Sequence, residues 1–230
     1  MKALRTLAAG IALVALASPA VAQTHTLKLT DVGSGTTMST SHGTVYISPY
    51  GGVIDGPGTP RVDIYCVDYA HFATLNNTWD VNIARVGAGA LGTTRGGEAA
   101  LAQYQQSAWL SMQFGPNATQ QKAIQSAIWQ VMGFSDGPVV TGGAAGLDAA
   151  DTQYWVDLAQ SRYLTDFSAA FYYYNFAVLT PTNPQDPRSA QEFLTRDIIP
   201  TPEPSTYLML GSGLLALVGV TRSRRRRLLG

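Results

Sequence analysis

Cys66 is the sole cysteine of the 230-residue chain, so it has no partner for an intramolecular disulfide and no companions for a cysteine-rich zinc site. It stands in Tyr65-Cys66-Val67-Asp68, and further along comes Gln125-Ser126-Ala127-Ile128-Trp129. A thiol and a glutamine carboxamide can react with one another. The sulfur attacks the amide carbon, ammonia leaves, and an internal thioester remains. Such an acyl electrophile lasts only where packing keeps water away, and Tyr65, Trp109 and Trp129 are aromatic side chains available for that wall.

The same residues carry plainer readings. A free cysteine often behaves as a small buried hydrophobe. Trp109 and Trp129 suit a core with or without a thioester, and Gln125 can bridge backbone groups. A third arrangement makes Cys66 a hydrolase nucleophile, with His71 as base and Asp68 orienting it. On a continuing strand His71 would face away from Cys66, and a turn after Tyr69 would bring it back; His25 and His42 are more distant bases. Asp148, Asp151 and Asp157 match no calcium-loop spacing, and Asp148 or Asp151 reads better as a helix N-cap. With three histidines in the whole chain, no metal and no cofactor is expected. Tyr172 to Tyr174 beside Phe171 suit a sugar-binding patch or, more commonly, a strand core.

The elements that must position these residues follow from periodicity. His25 to Asp31 alternates as a strand, and Val32 to Ser41 is Gly/Ser/Thr-rich and reads as a loop. Thr44 to Ser48 reads as a short strand ended by Pro49-Tyr50-Gly51-Gly52, with a turn at Asp55-Gly56-Pro57-Gly58. Arg61 to Tyr69 alternates with Cys66 on its apolar face, and Trp79 to Val86 is another strand. The period then changes. Leu101, Tyr104, Ala108 and Met112 line one face of a helix over Glu98 to Met112, with Gln105 inside that stripe. A second helix starts at Pro116-Asn117, with Gln120 completing a capping pattern and Ile124, Ala127, Ile128 and Val131 as its stripe. A Gly-rich loop spans Gly133 to Gly146, and Asp151 to Leu164 reads as a third helix. Phe171 to Thr180 and Glu192 to Ile199 are β-like. Strands at both ends with helices between predict an α+β fold, an antiparallel, barrel-like sheet with a central helical insertion.

Both ends of the chain read as addresses. Lys2 and Arg5, the apolar run Leu7 to Ala17 and Ala20-Val21-Ala22 form a secretory signal peptide over residues 1–22, cleaved before Gln23. At the other end Pro202-Glu203-Pro204 precedes an uncharged stretch from Ser205 to Thr221 and then Arg222, Arg224, Arg225, Arg226 and Arg227. A basic block after an apolar span stays on the cytoplasmic side, so residues 23–200 face outward, in a disulfide-permissive compartment. An unpaired thiol there is open to oxidation unless it is buried or chemically engaged. Residues 23–200 hold eight basic and fourteen acidic side chains, a net charge of −6 that excludes nucleic acid as a partner.

The tail, residues 201 to 230, resembles the PEP-CTERM sorting signal of Gram-negative bacteria: Pro202-Glu203-Pro204, a short membrane helix and the cluster through Arg224, Arg225, Arg226 and Arg227. That resemblance implies recognition by an exosortase. It also implies a precursor held in the inner membrane by its C-terminal helix, facing the periplasm, and a final place at the cell surface or in an exopolysaccharide biofilm matrix. The middle of the chain, roughly residues 60 to 132, resembles bacterial surface thioester domains. Tyr65-Cys66-Val67-Asp68 is similar to their aromatic-Cys-hydrophobic motif, and Gln125-Ser126-Ala127-Ile128-Trp129 to their Gln-x-Ala-Ile-Trp segment. Tyr104-Gln105 is similar to their hydrophobic-Gln block. Ile124 stands where the family has Thr, and Gln106-Ser107-Ala108-Trp109 repeats the pattern around a second glutamine. The resemblance implies Cys66 as sulfur donor, Gln125 as acyl donor, and Gln105 and Trp129 as supporting contacts. It implies single-use covalent adhesion to an amine-bearing surface or matrix polysaccharide or protein, not enzymatic turnover. The alternatives are a non-covalent exopolysaccharide-matrix protein with a buried cysteine and a secreted cysteine hydrolase.

Overall fold

The computed structural model describes residues 24–41, 43–47, 49–133 and 149–196. The expected signal peptide, the Pro-Glu-Pro tail with its apolar stretch and Arg cluster, His42, Asp148 and most of the Gly-rich segment 133–146 lie outside the described residues. Strands and helices are numbered here in chain order. Six strands close into an antiparallel barrel in the order β1 (His25–Asp31), β4 (Tyr50–Ile54), β5 (Arg61–Cys66), β8 (Phe193–Arg196), β7 (Phe176–Pro181) and β6 (Thr78–Arg85). β6 returns to pair with β1 and removes the open edge. β2 (Thr37–Thr40) and β3 (Gly43–Tyr46) form a separate two-stranded ribbon between β1 and β4. The helices α1 (Leu101–Ser111), α2 (Ala118–Val131), α3 (Ala149–Asp166) and α4 (Ala169–Asn175) lie between β6 and β7 in the chain. This is the expected α+β arrangement of an antiparallel barrel with a helical insertion.

Alternation along each strand sorts the core into two faces. Leu27, Tyr50, Ile64, Cys66, Val81, Leu179 and Phe193 come from all six barrel strands and fill its interior. Tyr65, Ala84, Phe176, Val178 and Leu194 face outward against α1 and its neighbouring helices. α2 serves both faces. Ile124, Ala127, Ile128 and Val131 join the outer cluster, whereas Ala123 and Trp129 reach the barrel interior. Its start is fixed by Asn117, whose side chain accepts from the Gln120 N–H at 3.1 Å, as the capping pattern predicts.

Four sequence expectations need correction. Val32 to Ser41 holds a strand, β2, because Met38 and Thr40 turn inward while Thr37 and Ser39 stay exposed. Tyr50-Gly51-Gly52 does not end a strand but begins β4. A Cβ on Gly51 would lie 1.9 Å from Asp31 Oδ2 and 2.5 Å from Arg61 Nε, so glycine there leaves room for that ion pair across the strands. The strand expected to run to Tyr69 stops at Cys66, and the Asp68 carboxylate bends the chain by accepting the Ala70 N–H at 3.1 Å. Phe171 to Asn175 belongs to helix α4, capped by Ser168 Oγ accepting from the Phe171 N–H at 3.2 Å, and the strand begins only at Phe176.

Candidate functional site

β5 delivers Cys66 to the end of the barrel interior, opposite Phe193 of β8. The next peptide N–H, that of Val67, points to β8 and donates to the Glu192 carbonyl at 3.2 Å. A planar trans peptide directs its C=O the other way. The Cys66 carbonyl therefore faces α2, where Gln125 Nε2 donates to it at 2.8 Å. Cys66 and Gln125, 59 residues apart, are thus in contact, and both are fully buried. Trp129 lies one helical turn beyond Gln125 and donates its indole N–H to Cys66 Sγ at 3.4 Å. The thiol in turn donates to the Asp68 carbonyl at 3.3 Å. Burial pushes the Cys66 thiol up to about 12, and the Trp129 N–H partly offsets this.

The wall around the pair differs from the expected one. Trp129 is part of it, but Trp109 lies in the outer cluster and donates to Asp166 Oδ2 at 2.9 Å. Tyr65 faces outward onto Phe114, with ring centroids 5.4 Å apart. Their places are taken by Tyr69, whose ring lies 4.8 Å from that of Trp129, and by Tyr50, whose phenol is raised by burial. Gln105 is buried in α1.

A second group of side chains occupies the other flank of Cys66. Asp68 Oδ2 lies 2.8 Å from His71 Nδ1 and 2.9 Å from Arg95 Nε. The other imidazole nitrogen, His71 Nε2, is 3.4 Å from Arg95 Nη1 and so is engaged by the guanidinium. Arg95 also donates to Ser189 Oγ at 2.6 Å, to the Ala190 carbonyl at 2.8 Å and to the Pro184 carbonyl. The Glu192 carboxylate accepts from Tyr104 Oη at 2.5 Å, Thr180 Oγ1 at 2.6 Å and the Arg95 N–H at 2.9 Å. Desolvation nevertheless raises its pKa above the ordinary carboxylate range. Asp68, Arg95, Gly96, Tyr104 and Glu192 line a cavity of about 290 Å³. Arg95 and Glu192 carry no motif, and nothing in the sequence singled them out. Among the described residues no group of three His, Cys, Asp or Glu side chains is placed to hold a metal ion. No described helix is long and apolar enough to cross a membrane.

Residues 200–227 match the PEP-CTERM protein-sorting motif. The matched segment contains Pro202, Glu203, Pro204 and the cluster Arg224, Arg225, Arg226 and Arg227. The chain therefore carries the signal of an exported, exosortase-sorted protein, with an exosortase as its processing partner and the cell surface as its destination. No curated protein and no solved structure matches the chain.

Proposed function

We propose that the body of this chain, residues 23–200, is a single-use covalent adhesion module that acts at the surface or in the biofilm matrix of a Gram-negative bacterium. Cys66 Sγ attacks the Gln125 carboxamide carbon, the C–N bond breaks, and ammonia leaves with the thiol proton. An amine on a target polysaccharide or protein then adds to the same carbon. The C–S bond breaks, and Cys66 departs as a thiol. The 2.8 Å bond from Gln125 Nε2 to the Cys66 carbonyl carries this reading, because it holds the carboxamide against the cysteine inside a sealed interior. The surrounding Trp129, Tyr69 and Tyr50 supply the dryness that an acyl electrophile needs. The membrane helix expected before processing, cleavage near Pro202-Glu203-Pro204 and the periplasmic orientation of the precursor belong to the same proposal.

A second reading is favoured by the state of the thiol. A sulfur that is fully buried, raised to about 12 and donating to the Asp68 carbonyl behaves as a structural hydrophobe. The protein is then a non-covalent matrix component. Hydrolysis by Cys66 and His71 has less support, since His71 is engaged by Asp68 on one nitrogen and by Arg95 on the other. The deciding experiment is intact and peptide-level mass spectrometry, beside a Cys66→Ala variant and with a first residue other than Gln23, which itself cyclises with loss of ammonia. A Cys66-dependent loss of about 17 Da, with Cys66 and Gln125 peptides joined and separable by methylamine, is expected. Full mass with a titratable thiol overturns the covalent reading in favour of the second.

A further inference from the structure

We infer that the β2–β3 ribbon is the gate of the Cys66–Gln125 site, and that it must swing away before an external amine can reach the pair. The inference rests on the thioester reading of that site. Cys66 and Gln125 expose no surface, and Trp129 exposes 1%, so the closed molecule offers no approach. Most of the surrounding wall consists of barrel strands tied by backbone ladders or of helix α2, which is buried on two sides. The ribbon is different, because among the described residues no ladder joins it to the barrel. A two-stranded ribbon is marginal by itself, so this one is held by what it touches.

What it touches is the rim of the site. Thr36 Oγ1 donates to Gln121 Oε1 at 2.9 Å, one helical turn before Gln125. Buried Met38 receives the Ser126 hydroxyl on its sulfur at 3.6 Å, and Ser126 is the neighbour of Gln125. Ser41 Oγ lies 2.9 Å from Tyr69 Oη, and the Tyr69 ring covers Trp129. Two of these are hydroxyl contacts at partly buried positions and the third seats buried Met38 against Ser126, whereas opening the barrel would break whole ladders. The base of the ribbon is a pinch point. Gly33 has φ +58°, and a Cβ there would lie 2.0 Å from the Pro49 carbonyl oxygen at the other end of the ribbon segment.

The test compares the full chain, purified in detergent, with a Thr36→Val/Ser41→Ala variant and with Thr59→Val as control. Thr59 bonds the Ile54 and Gly56 carbonyls in a turn away from the site. Two probes report access whichever form Cys66 takes. Methylamine adds to the acyl carbon of a thioester and frees the thiol. Iodoacetamide alkylates a free thiol with release of iodide and a proton. The latch variant is expected to react roughly tenfold faster than wild type, with the control unchanged, because two hydroxyl contacts no longer oppose opening. Gly33→Ala, which props the base of the ribbon, is expected to accelerate the reaction as well. Reaction with iodoacetamide alone, still accelerated in the latch variant, keeps the gate and removes the thioester. Equal rates for wild type and latch variant with both probes overturn the gate. So does reaction only under urea concentrations that unfold the whole chain.

Discussion

Two groups of side chains meet at the end of β5, and they solve the problem of burying polar atoms in opposite ways. On the α2 flank the polar atoms are neutral: a thiol, a carboxamide and an indole, enclosed by Tyr50 and Tyr69. On the β8 flank they are ionisable: Asp68 with Arg95 and His71, and Glu192 among Tyr104, Thr180 and the Arg95 backbone. The neutral flank excludes water and suits an acyl intermediate. The charged flank ties together segments far apart in the chain, since Arg95 reaches Pro184, Ser189 and Ala190 as well as Asp68. One residue, Asp68, belongs to both, because its backbone carbonyl accepts from the Cys66 thiol while its carboxylate pairs with Arg95. On the thioester reading, the contrast separates the proposed chemistry from scaffolding across a single strand.

The sharpest way to break that contrast is Arg95→Met. It leaves the Asp68 carboxylate, 2% exposed, without its cation and frees the loop carbonyls that the guanidinium holds. Removing one partner of a buried ion pair costs about 3–5 kcal/mol. A fall of that size in urea-unfolding free energy is expected, and the hydrogen bond between Gln125 and the Cys66 carbonyl should break only as the barrel end loosens. A change no larger than that of a surface pair would mean that the charged flank is not structural.

How much of this was readable beforehand depended on the kind of signal. Cys66 was legible from side-chain type, Gln125 from its likeness to the thioester-domain motif, and β1, β5, β6 and the Asn117 cap from period and capping chemistry. β2 was not, since Thr-Met-Ser-Thr becomes a strand only where Met38 finds Ser126 of α2 beneath it. β4 was hidden because its glycines, normally turn residues, are there to clear Asp31, Leu27 and Ile64 in a closed barrel. α4 was hidden by its aromatic run, which has strand propensity but follows a Ser168 cap. Arg95 and Glu192 were illegible for a plainer reason: they meet across 97 residues, and neither sits in a local pattern.

Glu192→Gln tests the charged flank more finely, through pH. Burial raises the Glu192 pKa in the folded state. A carboxyl raised above its unfolded value of about 4.3 contributes stability below that value and loses it as pH climbs through the folded pKa. Glutamine has no such loss, but it offers one acceptor oxygen where three donors converge. The substitution is therefore expected to cost about 1–2 kcal/mol near pH 4 and progressively less as pH rises toward neutrality. Paired urea titrations across that range measure it, and a cost that grows with pH would contradict the assignment.

The smallest effect is expected where the charges are wet. Arg61 holds Asp31 through Nε at 2.8 Å and Nη2 at 3.0 Å, and reaches Asp63 at 2.5 Å, with all three side chains at least two-fifths exposed. The guanidinium holds the Asp31 carboxyl well below the usual carboxylate range. The sign is opposite to that of Glu192: a depressed folded pKa gives stability above the unfolded value that is lost as pH falls through the folded one. Solvent screening limits the benefit, so Arg61→Ala is expected to cost no more than about 1 kcal/mol at neutral pH. That cost should fade below about pH 4 and shrink in high salt, whereas the Arg95→Met deficit should persist in high salt because its partners are shielded from ions. Urea titrations of the two variants at low and high salt make the comparison directly, and equal salt sensitivity would erase the distinction between the buried flank and the surface.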